Sequence, residues 1–409
     1  MAKTNASYNA MIKRYMPYQL LAEEFKKRMF FWNKVKKDSG WEGGTLEVPL
    51  VQNEASSLNW GTLTASADIA QAGYTLGTLG PTQPELWGSM IFNEKDLRRH
   101  GSMEKSYLKI LPGKIDQFVS SMAERVSIQL LDDGAVSKAT ANGDASGNIT
   151  VARPYLFQVG EKVEVIDDDT AVVEGYVQSI DINTGVIQLD DARTAGSVVD
   201  LSAYTVAQNA RVLVPTANTE GMTSLASQLL SVANGGSANI ANVSKASHPM
   251  LQSRNISGSG FTASTLTADV FEAMYDISAR GRGRITEILV SYNNFRHMAA
   301  DIETSRRYAK GEAKAGYGYT SLDLIGPEGG LTVTALRDMP DDKMYFMDWS
   351  ALKFFHPKNA FERKRVNGDD FYVDRLTSGY TFISDIRFAG DLLVHNPSHC
   401  GVVHSIPTL

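Results

Sequence analysis

The sequence predicts an α+β chain with a small β-barrel or sandwich inserted into it. Three observations carry that prediction. Apolar residues recur at three- and four-residue steps over 17–37 and 112–133, the helical period. Strand-like runs bounded by turn residues fill 151–214 at roughly ten-residue spacing. From Pro215 onward, helix and strand patterns are mixed. A length of 409 residues is enough for about two or three core-bearing units.

The elements follow in order. Pro17 suits a first helical turn, and Leu20, Leu21, Phe25, Met29 and Trp32 form a packing stripe. Gly40, Gly43 and Gly44 end that segment. Thr45–Val51 and Leu86–Phe92 read as strands at the base of a thin, Gly/Ala/Thr-rich stretch from Ser39 to Gly101. Between them, Asn59 to Pro84 carries small residues and turn formers, with only scattered large apolars such as Trp60, Ile69 and Tyr74. A compact monomer has little use for so long an excursion, whereas an arm crossing a neighbouring subunit does. A long helix runs from Pro112 to Asp133, with Ile115, Phe118, Val119, Met122, Val126 and Leu130 on its apolar face. Gly134 and an Ala/Asn/Gly/Ser stretch to Gly147 break it. Strands of the inserted unit follow from Phe157, with turns at Asp167–Asp169 and Asn183–Gly185. Thr219 is placed to cap a helix to about Val232, and Thr267 or Asp269 another that stops at Gly281. Ile285–Tyr292 reads as a buried strand, and Asn293 or Asn294 opens a helix through Arg307. Lys310–Gly330 reads as a mobile Gly-rich loop. Leu331–Leu336, Met344–Met347, Phe371–Asp374, Gly379–Phe388 and Asp391–His395 read as strands.

Charge is unevenly distributed. The net charge is −6, yet residues 1–37 hold nine Lys or Arg against two Glu. A basic N-terminal segment on an acidic body fits a face that meets a polyanion or an acidic partner; a solvated helix face is the alternative. No run approaches the roughly 18 apolar residues of a membrane span, and the N-terminus has no apolar signal core. Cys400 is the only cysteine, so an intrachain disulfide is excluded.

Catalytic and metal patterns are weak. Pro397 blocks a helix that would stack His395 over His399, and on a strand those two stand about 13 Å apart, too far to share an ion. Arg280, Arg282 and Arg284 in an Arg-Gly alternation fit a helix C-terminus and, secondarily, a phosphate contact. Asp167–Asp169 lacks the spaced ligands of a calcium loop and reads as a hairpin tip. Pro112-Gly113-Lys114-Ile115 lacks the first glycine and the Ser/Thr of a phosphate loop. A Gly-x-Ser-x-Gly elbow is absent. The residues therefore predict no enzyme, no cofactor and no metal.

The order of basic arm, extended loop, long helix, mixed domain and returning sheet resembles the major capsid (coat) protein of tailed bacteriophages. That fold is shared with herpesvirus coats and bacterial encapsulins. Ile240–Gln252 is similar to a coat segment in which an aliphatic, Ser/Asp and Arg/Lys stretch precedes Pro and a bulky residue. Here the last two are Pro249 and Met250, the latter where an aromatic is frequent. The resemblance implies an N-arm at 1–40, an extended loop at 41–100, a spine helix of a peripheral domain at 101–150, an inserted β-domain at 151–214, an axial domain at 215–345, and a peripheral return sheet with the C-terminus at 346–409. It implies pentamers and hexamers closing into an icosahedral shell around double-stranded DNA, in a virion assembled in a bacterial cytoplasm. Expected partners are other copies, a separate scaffolding protein, a portal protein, packaged DNA bound without sequence preference and a decoration protein, with no membrane; no Lys–Asn crosslink is expected. Lys13, Arg14, Lys26, Lys27, Lys34, Lys36 and Lys37 are the DNA-facing candidates, with Arg280, Arg282 and Arg284 weaker. Glu47, Glu54, Trp60, Asp96, Arg98 and Arg99 are the intersubunit candidates. An encapsulin-type container and a metal-dependent enzyme built on His395, His399 and Cys400 are the competing readings.

Overall fold

The computed structural model describes residues 18–53, 73–80, 83–93, 104–132, 134–167, 172–193, 196–281, 283–305, 322–326, 329–364, 372–374 and 381–407. The N-terminal stripe forms two helices, α1 (Tyr18–Arg28) and α2 (Phe30–Lys34), where the sequence predicts one. Met29 breaks them with an extended backbone, φ −81° and ψ 106°. The break lets Phe25, Met29, Phe31 and Trp32 all turn inward, and all four are buried. Phe25 lies 5.0 Å from Phe361 and 4.8 Å from Phe388, ring centroid to centroid. This segment is thus fastened into the main core of its own chain. Strand β1 (Lys36–Asp38) then pairs in parallel with Leu352–Phe355.

Strand β2 (Leu46–Asn53) pairs antiparallel with β3 (Gly73–Leu79), from Leu46↔Leu79 to Asn53↔Gly73. β3 falls in the stretch read as small residues and turn formers. Its glycines dilute the strand signal, and Gly77 is required, since a Cβ there would stand 2.8 Å from Leu50 Cδ1 and 2.9 Å from Ala241 Cβ. β4 (Glu85–Asn93) pairs instead with Thr381–Ala389. Helix α3 (Glu104–Asp132) has 29 residues, about 44 Å at 1.5 Å per residue. Pro112, read as near its start, lies in its third turn. Gly88 of β4 rides directly on α3; a Cβ there would meet Phe118 Cζ at 2.7 Å.

After Gly134, at φ +72°, the chain enters a closed six-stranded barrel. Its strands are β5 (Ala135–Ala141), β6 (Asn148–Val151), β7 (Lys162–Ile166), β8 (Val172–Asp181), β9 (Val186–Asp190) and β10 (Arg211–Leu213). β10 pairs with both β5 and β7, which closes the ring. The sequence places the start of this unit at 151; the structure starts it at 135, because β5 is a stave in the stretch read as a helix-ending break and β6 straddles the expected boundary. Val163, Val165, Val177, Ile187, Leu189, Leu201 and Val212 fill its core at 0% exposure.

The helix expected from Thr219 to Val232 is two short ones, α4 (Ala217–Glu220) and α5 (Leu225–Leu229). Gly221 is extended between them, and Ser224 caps α5 by accepting from Ser227 N–H. A small hairpin, β11 (Asn239–Ile240) and β12 (Val243–Ser244), follows. Then come β13 (Arg254–Ser257), α6 (Leu266–Arg280), β14 (Glu287–Ser291), α7 (Tyr292–Ser305), β15 (Leu322–Gly326), β16 (Gly329–Leu336) and β17 (Met344–Met347). Ser291, not Asn293 or Asn294, caps α7, its hydroxyl accepting from Asn294 N–H at 3.2 Å. The remaining strands are β18 (Leu352–Phe355), β19 (Phe361–Arg363), β20 (Tyr372–Asp374), β21 (Thr381–Ala389), β22 (Asp391–Val394) and β23 (Gly401–His404). A six-stranded mixed sheet runs β13-β23-β17-β14-β16-β15, with α6 and α7 supplying its apolar cover. β15 and the start of β16 lie inside the stretch expected to be a loop, while 306–321 lie outside the described residues.

Candidate assembly surfaces

The units are joined by buried charge. Arg125 of α3 donates to Leu156 O at 3.2 Å and pairs with Glu161, seating the barrel on the helix. Arg153 donates to Asp338 O at 2.8 Å and Ala135 O at 3.1 Å, and Lys138 reaches Asp342 at 2.7 Å. Lys343 pairs with Asp132 at the end of α3, each side chain 9% exposed. Removing one partner of such a pair leaves an uncompensated buried charge, so these contacts fix the junction more than they add net stability. Where the chain returns from the barrel, the Thr223 N–H and hydroxyl donate to Asp391 at 2.7 and 2.8 Å. Complete burial pushes the Asp391 carboxyl up to about 6, against the hydrogen bonds from Thr223 and Leu392 that favour its charged form.

Among the described residues, the β2–β3 ribbon is held by a small core and by the β11–β12 turn. Trp41, Val48, Leu50, Leu79, Ile240, Val243, Leu251, Phe355 and Leu393 form a separate small core beneath it. The β11–β12 turn brackets it: Ala241 O accepts from Thr78 N–H at 2.8 Å, and Asn242 Nδ2 donates to Thr78 O and Oγ1 at 3.0 Å. Ala241 and Asn242 both sit in the left-handed region, φ 45° and 64°. This is the two-residue turn that matches strand twist, with an alanine where glycine or asparagine is favoured. The rest of the 240–252 segment is structural. Lys245 Nζ caps α5 through Ser227 O at 2.8 Å and Leu230 O at 3.0 Å. Gln252 donates to Lys245 O at 2.8 Å.

The sequence-nominated residues divide as follows. Lys13, Arg14, Glu54, Trp60, Asp96, Arg98, Arg99 and Arg282 lie outside the described residues, as does the side chain of Arg280. Lys26 and Lys37 both stand over the Trp32 ring, at 5.4 and 5.5 Å from its centroid, a cation–π arrangement. Lys27 pairs with Glu24 at 3.0 Å on the surface. Lys34 is engaged inward: it donates to Glu287 Oε2 at 2.8 Å, where Trp349 Nε1 also donates. Lys36 is exposed on β1 opposite Lys353, which the sequence reading did not single out. Glu47 and Arg284 are exposed. So Lys26 and Lys37 share the Trp32 face, Lys36 points to the opposite face of β1 near Lys353 and His395, and Lys34 is tied to Glu287.

Sequence reading also missed the outer face of β4. Leu86, Gly88 and Met90 face α3, while Trp87 and Ile91 point outward at 49% and 51% exposure. Trp87 lies between Lys364 and Arg387, 5.6 and 5.9 Å from its ring, and its Nε1 donates to Glu85 at 2.9 Å. The signal was present in the alternation of Leu86-Trp87-Gly88-Ser89-Met90-Ile91, but assigning faces required the position of α3.

At the C-terminal histidines, His399 Nδ1 lies 3.3 Å from Asp348 Oδ2. Cys400 is buried, and burial pushes its thiol up to about 12, far from the reactive thiolate range. Among the described residues, no helix is long and apolar enough to cross a membrane.

No protein-family model and no curated protein sequence matches this chain. Several solved structures are similar to it. The cyanophage A-1(L) capsid covers 91% of this chain and 90% of its own, at 14% identity and a TM-score of 0.48. The capsid of a native GTA particle covers 92% and 90%, at 11% identity and a TM-score of 0.45. The holo-SrpI encapsulin complex from Synechococcus elongatus covers 99% and 96%, at 8% identity and a TM-score of 0.38. In its α+β fold the chain is similar to these phage capsid, GTA capsid and encapsulin structures.

Proposed function

We propose that this chain is the major capsid protein of a tailed phage, building pentamers and hexamers of an icosahedral shell around double-stranded DNA. One observation carries the reading. Among the described residues the β2–β3 ribbon is a two-stranded sheet with a small core on one side, and Leu76 on it is 59% exposed. A two-stranded hairpin alone is marginal in water. Cover from a neighbouring copy supplies what its own chain does not. Glu47 on that ribbon is then an intersubunit partner, joined by Glu54, Trp60, Asp96, Arg98 and Arg99.

Charge supports an orientation. The barrel span 135–213 holds eleven Asp or Glu against five Lys or Arg. The Trp32 face that carries Lys26 and Lys37 is suited to phosphates, which attract basic side chains without reading sequence, and Lys13, Arg14 and Lys36 are further DNA-facing candidates of this reading. Lys27 contributes less because Glu24 neutralises it, and Lys34 contributes least because it serves Glu287. Under this reading the chain is no enzyme. Its partners are its own copies, a scaffolding protein, a portal, DNA and a decoration protein, and its place is the virion. The mixed sheet with α6 and α7 would surround the capsomer axis, and α3 with the β4–β21 sheet would lie at the periphery.

Negative-stain microscopy of the purified full chain, alone and with candidate scaffold, tests this. Closed shells are expected; a persistent monodisperse monomer at high concentration would sink it. Shells enclosing an enzyme in place of DNA would move the assignment to an encapsulin-type container.

A further inference from the structure

The outer edge of β4 is a long open strand edge in the described structure. β4 pairs with β21 through nine consecutive residues, Glu85↔Ala389 to Asn93↔Thr381, with no register shift. Among the described residues no strand lies on its other side. Proteins blunt such edges with Lys, Pro, a bulge or a very short strand. The sequence Glu-Leu-Trp-Gly-Ser-Met-Ile-Phe-Asn has none of these. Beside the edge runs an open groove. Gln117, Ser120, Ser121 and Glu124 of α3 line it together with Gln158 of the barrel and residues 89–91 of β4 itself. The small serines leave room for a further backbone.

The side-chain pattern of β4 identifies the occupant. Ser89 is its midpoint, and the two half-exposed apolar residues, Trp87 and Ile91, lie two positions to either side. All three share the outward face. A second β4 running antiparallel, with a two-fold axis through Ser89, would set Trp87 opposite the partner subunit's Ile91, and Ile91 opposite the partner subunit's Trp87. The two Ser89 residues would meet at the axis. Aromatic against β-branched is a favourable cross-strand pair, and a two-fold contact makes it twice. The strand is therefore complementary to itself in the one register that buries both exposed apolar residues. We infer that β4 pairs with β4 of a second copy across a two-fold axis through Ser89, joining two β4–β21 sheets into one.

Cross-linking of the full chain tests this without relying on the shell reading. Directly opposed antiparallel residues place their Cβ atoms about 4.5–5.5 Å apart, within a small adjustment of disulfide geometry. Native Cys400 is buried and gives a silent background. In Ser89→Cys, mild oxidation is expected to give a reducible covalent dimer. Adding Ile91→Lys should lower its yield about tenfold, because the apolar pair it removes occurs twice and a lysine on a strand edge opposes edge-to-edge pairing. Ile91 is half exposed, so circular dichroism should show the fold of that double variant unchanged. Ser89→Cys that stays monomeric after oxidation, or a dimer yield indifferent to Ile91→Lys in a folded protein, overturns the inference; coverage of β4 by any other segment gives the first result. Microscopy of the same samples reads shell formation separately, so dimers without shells would sink the capsid assignment and leave this pairing standing.

Discussion

The barrel and the β2–β3 ribbon are both antiparallel β structure, and they treat strand edges in opposite ways. In the barrel, β10 hydrogen-bonds on both sides and the ring has no free edge. Its core of aliphatic side chains is complete within one chain. The ribbon has two strands and, beneath its base, a shared nine-residue core to which β11, β12, β18 and β22 also contribute. The difference separates a unit whose edges all pair within one chain from one whose outer edges, among the described residues, pair with no further strand. β4 lies between these cases, closed against β21 on one side and open on the other.

The sharpest way to break the comparison is to damage the barrel alone. Leu189→Ala removes a side chain of 0% exposure and is expected to destabilise the barrel by about 2–5 kcal/mol. Hydrogen exchange should rise across 135–213 while the amides of β2 and β3 keep their protection; equal loss in both would show that they open as one unit.

A second effect lies at the return from the barrel. Burial pushes the Asp391 carboxyl up to about 6 from its ordinary 3.8, so the folded state holds this proton more tightly than the unfolded chain does. Its contribution is most favourable below about pH 4 and is lost as pH rises through about 6, a change of about 3 kcal/mol. Thermal melts of Asp391→Asn against the parent between pH 4 and 7 should show that slope removed. An unchanged slope would mean that the hydrogen bonds from Thr223 outweigh burial.

The smallest effect belongs to the ribbon. Ala241→Gly relieves a left-handed backbone, φ 45°, and should stabilise the β11–β12 bracket by about 0.5–1 kcal/mol. Slower exchange of Thr78 N–H, which donates to Ala241 O, is the readout. No change at Thr78, with slower exchange in the barrel, would contradict the separate anchoring of the two units.

Local pattern made much of this legible. Of the stripe on α3, Val119, Met122, Val126 and Leu130 are buried and Phe118 is half-buried, while the side chain of Ile115 lies outside the described residues. Met344–Met347 was read as a strand with the bounds it has. β3 was invisible because its glycines serve contacts with Leu50 and Ala241, not strand propensity. β5 looks like helix-breaking linker until the barrel gives it partners. Of the candidate contact residues, Lys34 shows the limit most clearly: its charge is plain in sequence, but its use against Glu287, 253 positions away, is not.

The sequence by itself determined the α+β class, the inserted β unit and the faces that turn inward, because side-chain periodicity is a property of neighbours along the chain. The tertiary structure alone decided which strands meet: β4 with β21, β23 between β13 and β17, β10 closing the barrel. An alternating strand carries the same two-residue period whatever lies beside it. Its partner is chosen by the hydrophobic faces and loop closures of the whole chain.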